Sequence, residues 1–432
     1  MKNVPTRAAR FSYLGVHIAD SSITASFDLD GTPFNEVVTF SDDVSLDAPG
    51  ITSIAELWAL VAGLSYYKAG AARTIDVGTL GFGPATEDFL LAAIYEGLGE
   101  FAFRNELDLT DVSIVGGTEV EPITLDLDER EALVPFGGGI DSMVTVTSLA
   151  STLRQTLFVV SPEAGTFDAI EDALAALGLP VTRVSRRLDP AITSHRDDWF
   201  NGHVPVTAMV TLLATISAIG RGSANVVMSN EHSASVPNLT WNGLDINHQW
   251  SKSASAEVLL ADALAERLDR GPVVASFLRD KSELWVAREL SRHDELIGVV
   301  RSCNRAFRQD PSLRARTWCG ECDKCLFISL VLSPFIPRER ITDIFGGTHP
   351  LTREDYAEEI RTLVGLGVNK KPFECVGDPD ECAVALHSVV SLEAYKNCDH
   401  LHAIAREASD DQTLDDLLEP QGGSRVPASW LQ

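Results

Sequence analysis

The sequence predicts an α/β fold built around a parallel sheet, and three observations lead to this class. Short apolar strands alternate with helices from about residue 132 to residue 228, which is the spacing of βαβ units. A glycine-rich turn follows the first of these strands, at the sheet edge where such folds bind ligands. A composition of 45% hydrophobic and 22% charged residues over 432 positions is that of a globular chain with two or three domains.

The first predicted unit, residues 1–127, is expected to be an α+β domain that binds substrate. Runs rich in β-branched residues alternate with turn residues and indicate strands, and two longer stretches indicate helices. The predicted strands are 15–18, 23–27 and 36–40, and the predicted helices are about 53–69 and 86–97. This unit contains no chemical motif.

The second predicted unit, residues 128–345, contains the parallel sheet. Its strands are predicted at 132–136, 156–160, 181–184 and 224–228, and its helices at 142–153, 167–177 and 204–219. Residues 346–432 are expected to form a helical region with an acidic, solvated surface.

The charge balance argues against a nucleic-acid enzyme. The chain carries 35 basic and 62 acidic residues, for a net charge of −27, so it repels polyanions on average. Residues 301–325 nevertheless carry six basic and three acidic residues, which leaves room for a small anionic ligand. The first residues lack the apolar core of a signal peptide, and no apolar run reaches the ~18 residues of a membrane helix. A cytoplasmic protein without a membrane contact is therefore expected.

The glycine turn between the strand at 132–136 and the following helix predicts an anion site. Its glycines let backbone N–H groups approach a ligand, and the helix directs its positive dipole end to the same place. Asp141 can cap the helix or hold Mg²⁺. The residues predicted to bind pyrophosphate are Gly137, Gly138, Gly139, Ile140, Asp141 and Ser142.

This turn resembles the Ser-Gly-Gly-x-Asp-Ser loop of the PP-loop ATP pyrophosphatases, which cleave ATP between its α and β phosphates. The resemblance implies a PP-loop core that binds ATP and Mg²⁺. Gly137 stands where that family usually has serine, so the hydroxyl contact that the serine makes to phosphate is in question.

Four cysteines predict a metal site. Cys319, Cys322 and Cys325 form a C-x₂-C-x₂-C run, and Cys303 precedes them as the natural fourth ligand. Four thiolates suit a closed, tetrahedral structural Zn²⁺ site, with an iron–sulfur cluster or free thiols as the alternatives. A lone cysteine followed by this run, after such a loop, resembles the 7-cyano-7-deazaguanine synthases, whose four cysteines hold zinc. Residues 201–205, which enter a long helix, are also similar to theirs.

Five further segments narrow the function. Residues 230–239, 247–253, 302–308, 318–320 and 371–377, together with the glycine turn, resemble the UDP-N-acetylmuramoyl-L-alanyl-L-glutamate epimerases of bacterial cell-wall synthesis. The resemblance implies that ATP adenylates the α-carboxylate of the terminal L-glutamate of a UDP-muramoyl-dipeptide. AMP and pyrophosphate would leave, and the glutamate would emerge in the D form. Adenylation removes one negative charge from the enolate, which brings the α proton within reach of a side-chain base.

Inversion needs two proton-transfer groups, and the sequence offers several candidates. His232 lies just beyond a strand end, where a ligand is expected, and Lys252 suits charge neutralisation better than proton transfer. Cys375 lies outside the cysteine set and can carry a proton if its pKa is lowered. The catalytic candidates are His232, His248, Lys252, Glu374 and Cys375, and the candidate substrate contacts are Asn230, Glu231, Asn238 and Arg305.

Two other function classes stay open at this point. An amide- or nitrile-forming ligase of the deazaguanine type would consume ammonia during turnover. A nucleotide-binding regulatory protein without catalysis would suit the glycine at position 137.

Overall fold

The computed structural model describes residues 5–431 except 164, 195, 309, 316, 369, 370 and 410. The strands are β1 Arg10–Ala19, β2 Ser22–Leu29, β3 Thr32–Phe40, β4 Thr74–Asp76, β5 Ser113–Val115, β6 Asp128–Pro135, β7 Arg154–Pro162, β8 Val181–Arg187, β9 Ser223–Met228, β10 Leu239–Trp241, β11 Leu244–Ile246 and β12 Val273–Ser276. The helices are α1 Ile51–Ala62, α2 Leu64–Tyr67, α3 Pro84–Ala92, α4 Gly99–Asn105, α5 Ile140–Ser148, α6 Asp168–Leu177, α7 Pro190–Thr193, α8 Val206–Arg221, α9 Ala254–Ala265, α10 Glu283–Leu290, α11 Asp294–Ile297, α12 Asp323–Leu332, α13 Arg338–Ile344, α14 Ala357–Leu363, α15 Pro379–Ser391, α16 Asp399–Ala405 and α17 Leu414–Leu418.

Ten strands form one mixed sheet in the order β12-β9-β6-β7-β8-β3-β2-β1-β4-β5. The five strands from β12 to β8 run parallel, and the pairs β8–β3, β3–β2 and β2–β1 are antiparallel. The mixed α/β class predicted from the sequence is therefore confirmed. The strands of the predicted N-terminal unit continue the same sheet as those of the central unit, whereas the predicted domain boundaries stay predictions.

A buried ion pair joins the two parts of the sheet. Glu36 on β3 is fully buried and accepts two hydrogen bonds from the Arg186 guanidinium on β8, at 2.6 and 3.2 Å. Two hydrogen bonds of this forked kind fix the orientation of both partners. The pair lies where β3 aligns with β8, with Val37 opposite Arg187 and Phe40 opposite Val184.

The four predicted central strands coincide with β6, β7, β8 and β9, and the three helices between them coincide with α5, α6 and α8. The helix predicted at 142–153 begins earlier and ends at Ser148. The helix predicted at 53–69 is divided at Gly63 into α1 and α2. Tyr13 packs closely there, since a Cβ at Gly63 would lie 2.4 Å from the Tyr13 ring. Helices α14–α17 agree with the predicted helical character beyond residue 346.

Two hydrophobic cores lie on opposite sides of the sheet. One contains α1 and α8 together with the antiparallel strands, and the other contains α5, α10, α12 and α15. The carboxyl ends of β6, β9 and β12 open between these layers, and the turns that follow them therefore meet at one edge. Among the described residues, no helix combines the length and apolar character needed to cross a membrane.

Candidate functional site

The glycine turn (residues 137–142) is shaped by close neighbours at two of its three glycines. Gly138 has φ +72°, and a Cβ there would lie 3.1 Å from the Ala169 carbonyl oxygen. A Cβ at Gly139 would lie 2.9 Å from Ser302 Oγ. Gly137 has no atom within 4 Å of such a Cβ, so its missing side chain leaves open space. Only the second and third glycines are required by packing or backbone conformation.

The segment before the cysteine cluster supports this turn from outside. The Arg301 N–H donates to the Gly138 carbonyl at 2.8 Å, and the Ile140 N–H donates to Ser302 Oγ at 3.4 Å. Helix α5 begins at Ile140 without a cap from the side chain of its N-cap residue, so the N–H groups that follow that of Ile140 at its start receive no side-chain cap. This arrangement can bind an anionic group.

A cavity of about 390 Å³ opens beside the turn. Several residues predicted from the sequence line it, namely Gly137, Gly139, Asp141, Ser142, Asn230, Lys252 and Cys375. Ser302, Asn304 and Lys324, which the sequence interpretation did not single out as site residues, line it as well. The phosphate-type turn, a lysine and a thiol thus share one space, which we call the central cavity.

Three carboxylates converge beside the central cavity, which Asp141 also lines. Asp141 from α5, Glu231 after β9 and Glu283 at the start of α10 each place an oxygen within 4.8 Å of the others. One oxygen of each is buried without a hydrogen-bond partner. Burial and the charge of Glu231 raise the pKa of Asp141 to about 6, and burial together with Asp141 raises the pKa of Glu283. Oxygen ligands of this kind suit Mg²⁺, which would relieve the repulsion among them.

Two buried lysines lie close to this carboxylate cluster. Lys324 is buried and extends over the Phe327 ring at 4.9 Å. Lys371 is fully buried, its ammonium has no hydrogen-bond partner, and burial lowers its pKa. With Lys252, these side chains supply the positive charge that a polyanionic ligand needs.

Cys375 is paired with a histidine that is itself held by a carboxylate. Glu100 Oε2 lies 2.5 Å from His248 Nδ1, and His248 and Cys375 lie close enough to shift each other's pKa. Burial opposes ionisation of Cys375, but Lys252 and His248 outweigh it and lower the pKa of the thiol to about 7. Burial likewise disfavours charged His248, but Cys375 and Glu100 raise its pKa to about 9. Between these values the pair exists as thiolate and imidazolium.

His203 completes the surroundings of this Glu100–His248–Cys375 triad. Its ring centroid lies 4.2 Å from that of His248. Burial and the charge of His248 lower the pKa of His203 to about 4, so this ring is neutral near pH 7. The neutral His203 ring therefore packs against the charged His248 ring and does not compete with it for the Glu100 carboxylate.

Apart from the four cysteines, eight predicted site residues are not among the residues that line the central cavity, namely Gly138, Ile140, Glu231, His248, His232, Asn238, Glu374 and Arg305. The last four have other hydrogen-bond or ion-pair partners. His232 is half-buried, and its backbone N–H donates to the Lys281 carbonyl at 3.0 Å. The Asn238 amide oxygen accepts from the His248 N–H at 2.7 Å, and its NH₂ group donates to the Pro372 carbonyl. Asn238 thus holds His248 beside the segment that carries Cys375.

The other two residues are Glu374 and Arg305. Glu374 accepts a hydrogen bond from the Asn304 amide, and burial raises the pKa of its carboxyl group. Arg305 pairs with Glu321 at 2.6 Å, next to the cysteine cluster.

The cysteine cluster brings together Cys303, Cys319, Cys322 and Cys325. Their sulfur atoms lie within 4.8 Å of one another, and the Cys319 and Cys325 sulfurs are 3.6 Å apart. Tetrahedral zinc with Zn–S bonds of about 2.3 Å requires about 3.8 Å between sulfurs. The four thiols are free, so the arrangement can hold Zn²⁺ with no further ligand.

Sequence reasoning missed Glu100, His203 and Glu283 as site residues, and it included Lys324 only as one of the six basic residues of 301–325 that leave room for an anionic ligand. Lys324 lies inside the C-x₂-C-x₂-C run, and His203 lies inside the segment 201–205. Both residues therefore lie in sequence motifs that already pointed to the site. Glu100 and Glu283 lie in helices without a motif. Only the packing of α4 and α10 brings them to the site.

Comparison with known proteins gives a consistent family. The sequence model of the MurL N-terminal domain matches residues 2–274, and that of the MurL C-terminal domain matches residues 299–418. Three curated relatives are named UDP-N-acetyl-alpha-D-muramoyl-L-alanyl-L-glutamate epimerase. The Micromonospora sp. protein is 37% identical over 92% of this chain and 90% of its own length. The Salinispora tropica protein is 40% identical over 77% and 72%, and the Xanthomonas oryzae pv. oryzae protein is 31% identical over 89% and 86%.

The cysteine cluster predicts about one zinc ion per chain. Replacing one ligand in Cys322→Ser should release the metal and lower the free energy of unfolding by more than about 3 kcal/mol. Elemental analysis and denaturant titration measure the two effects. Cys398→Ser, outside the cluster, is the matched control and should keep its zinc. Iron with visible absorbance, or a purified chain without metal, would contradict the assignment.

The Cys375 thiolate predicts a pH-dependent reactivity. Because only the thiolate alkylates, the rate of iodoacetamide labelling at Cys375 should rise with pH around a midpoint of about 7. His248→Phe removes the positively charged ring beside the thiol, so the midpoint should move up toward the ordinary value of about 8.5. Peptide mass spectrometry separates Cys375 from buried Cys382, which serves as the internal control because burial raises its pKa. An unchanged midpoint in His248→Phe would show that the pair does not set the reactivity.

Proposed function

This chain belongs to the MurL family of UDP-N-acetyl-alpha-D-muramoyl-L-alanyl-L-glutamate epimerases, and we propose that it converts the terminal L-glutamate of UDP-N-acetylmuramoyl-L-alanyl-L-glutamate to D-glutamate in peptidoglycan precursor synthesis. One observation carries the proposal. A single cavity combines a glycine turn suited to phosphate with a thiol that is activated by a histidine. The first feature suits activation of a carboxylate, and the second suits chemistry at the activated acyl group.

The first step we propose is adenylation in a PP-loop core. The α-carboxylate of the glutamate attacks the α-phosphorus of ATP, an acyl-adenylate forms, and pyrophosphate leaves. The turn at Gly138–Ser142 would receive the departing pyrophosphate through backbone N–H groups and the dipole of α5. Lys252 and Lys324, which line the same cavity, would stabilise the negative charge that develops there.

The carboxylate cluster fits the Mg²⁺ that accompanies ATP. Asp141, Glu231 and Glu283 would hold it, since each has a buried oxygen without a hydrogen-bond partner. Bound there, the ion would supply positive charge beside the pyrophosphate. Arg279, which is buried, donates to the backbone carbonyls of Glu231 and Lys252 at 3.0 and 2.7 Å, and it therefore fixes both residues at the cavity.

The cysteine cluster would hold a structural Zn²⁺ next to the central cavity. The cysteine cluster fits it, and its ligands adjoin residues that line the central cavity. Ser302 precedes Cys303, and Lys324 lies between Cys322 and Cys325. Zinc would therefore hold Ser302 and Lys324 in place while taking no part in the reaction.

The activated acyl group makes the α proton removable. A free carboxylate would give an enolate with two negative charges, whereas an acylated form gives one. Lys252 lies among Cys375 and the carboxylate cluster, and these neighbours raise its pKa. Its ammonium group would stabilise the enolate oxygen rather than remove a proton. Hydrolysis of the acyl group then releases the D product.

The proposed function predicts deuterium in the product. With ATP, Mg²⁺ and UDP-muramoyl-dipeptide in D₂O, the chain should form AMP, pyrophosphate and D-glutamate that carries deuterium at its α carbon. Chiral chromatography and mass spectrometry of the hydrolysed product measure this. The L-alanine residue should stay unlabelled because its carboxyl group is in an amide, and omission of ATP should abolish exchange. Formation of ADP and phosphate, retention of the α hydrogen or consumption of ammonia would contradict the proposal.

The carboxylate cluster predicts a metal-binding defect in Glu283→Gln. Loss of one anionic ligand should weaken Mn²⁺ binding, followed by electron paramagnetic resonance as a substitute for Mg²⁺, by about tenfold or more. AMP formation should fall by about a hundredfold or more. Glu289→Gln on the same helix is the matched control, since Glu289 pairs with Arg288 and Arg292 instead. Circular dichroism verifies the fold, and unchanged Mn²⁺ affinity would remove Glu283 from the site.

A further inference from the structure

The Glu100–His248–Cys375 triad has the arrangement of a nucleophilic catalytic site. Glu100 binds His248 Nδ1 at 2.5 Å, which leaves Nε2 as the ring nitrogen available to Cys375. A thiol, a histidine and an orienting carboxylate in this order form the general arrangement for covalent catalysis at an acyl carbon. The histidine keeps the thiol ionised, and the carboxylate fixes the histidine ring.

The sulfur also lies where an acyl group would be activated. Cys375 and the glycine turn line the same cavity, so an acyl-adenylate formed at the turn would share this space with the thiolate. Thiolates are strong nucleophiles, and an acyl phosphate has a good leaving group. Among the described residues, Cys375 is the only cysteine that lines the cavity.

We propose that Cys375 forms a thioester with the substrate, and that the glutamate is inverted while it is bound to the enzyme through this sulfur. The inference rests on the proposed epimerase function and adds a covalent intermediate to it. The Cys375 sulfur bonds to the α-carboxyl carbon, the bond from that carbon to the adenylate oxygen breaks, and its electron pair leaves with AMP.

Inversion and release follow from the thioester. A side-chain base on one face takes the α proton and releases it to solvent, and the His248 imidazolium returns a proton to the opposite face while the acyl group stays on sulfur. Water then attacks the acyl carbon, the C–S bond breaks, and the thiolate is restored. One proton of the water passes through His248 and the other goes to solvent with the product carboxylate. No oxidant or further reactant is needed.

A thioester has two advantages over the acyl-adenylate for this chemistry. Sulfur donates little electron density into the carbonyl, so the α proton of a thioester is more acidic than that of an oxygen ester. Departure of AMP also empties the cavity next to the acyl group, where Lys252 can approach the enolate oxygen. The neutral His203 ring packs at a tilt against the His248 ring, with 4.2 Å between the ring centroids.

The test is acid quenching of the full-length enzyme during a single turnover with carbon-labelled UDP-N-acetylmuramoyl-L-alanyl-L-glutamate and ATP. Label should appear on the protein, map to Cys375 by peptide mass spectrometry with the mass of the substrate less one water, and disappear as D product forms. Neutral hydroxylamine should release it. Absence of protein-bound label during a turnover that yields D product, together with undiminished D-glutamate formation by Cys375→Ala, would overturn the proposal.

Variants keep the test decisive if the intermediate does not accumulate. Cys375→Ala should retain ATP–pyrophosphate exchange but lose D-glutamate formation by about a thousandfold or more, whereas Cys398→Ala should behave as wild type. Cys375→Asp supplies a base without a thiol and should be as inactive as Cys375→Ala. Substantial epimerisation by Cys375→Asp would assign Cys375 to proton transfer and overturn the thioester. A wild-type enzyme that forms no D product at all would instead refute the proposed function itself.

Discussion

The convergence of four sulfur atoms within 4.8 Å is the constraint on which the geometry of the site depends. Cys303 lies sixteen positions before Cys319, so the cluster closes a long, irregular segment against the start of α12. Ser302 is thereby held under the glycine turn, where it accepts from Ile140, and Lys324 is directed into the central cavity. Asn304, one residue beyond Cys303, binds Glu374 beside the reactive thiol. Residues next to the cysteine cluster thus fix one side of the central cavity.

The second organising feature is the separation of charges inside a strongly acidic chain. The net charge is −27, yet three lysines, Lys252, Lys324 and Lys371, lie in the central cavity or buried close to it. Opposite them, a carboxylate cluster with unpaired oxygens provides a place for a divalent cation. Such a division suits a ligand that brings its own metal and several phosphates. It also explains why the overall charge of a protein says little about the ligands that a buried site selects.

The parts that could be predicted from the sequence are those encoded locally. The periodicity of residues 132–228 gave the central strands and helices, because each element buries its own apolar face. The glycine turn and the cysteine run were recognisable because their chemistry needs fixed short spacings. The pairing of Glu100 with His248 and Cys375 was not predictable, since these residues lie up to 275 positions apart and meet only through tertiary packing. Likewise, β12 and the continuation of the sheet into β3 depend on long-range partners rather than on local pattern.

The triad crosses the boundary between the two segments that the family's domain models describe. Glu100 and His248 lie within residues 2–274, whereas Cys375 lies within residues 299–418. A gene that acquired either segment alone would encode an acid–histidine pair with no thiol to ionise, or a thiol with the reactivity of an ordinary cysteine. The contacts of Asn238 with His248 and Pro372 join the two segments at this point.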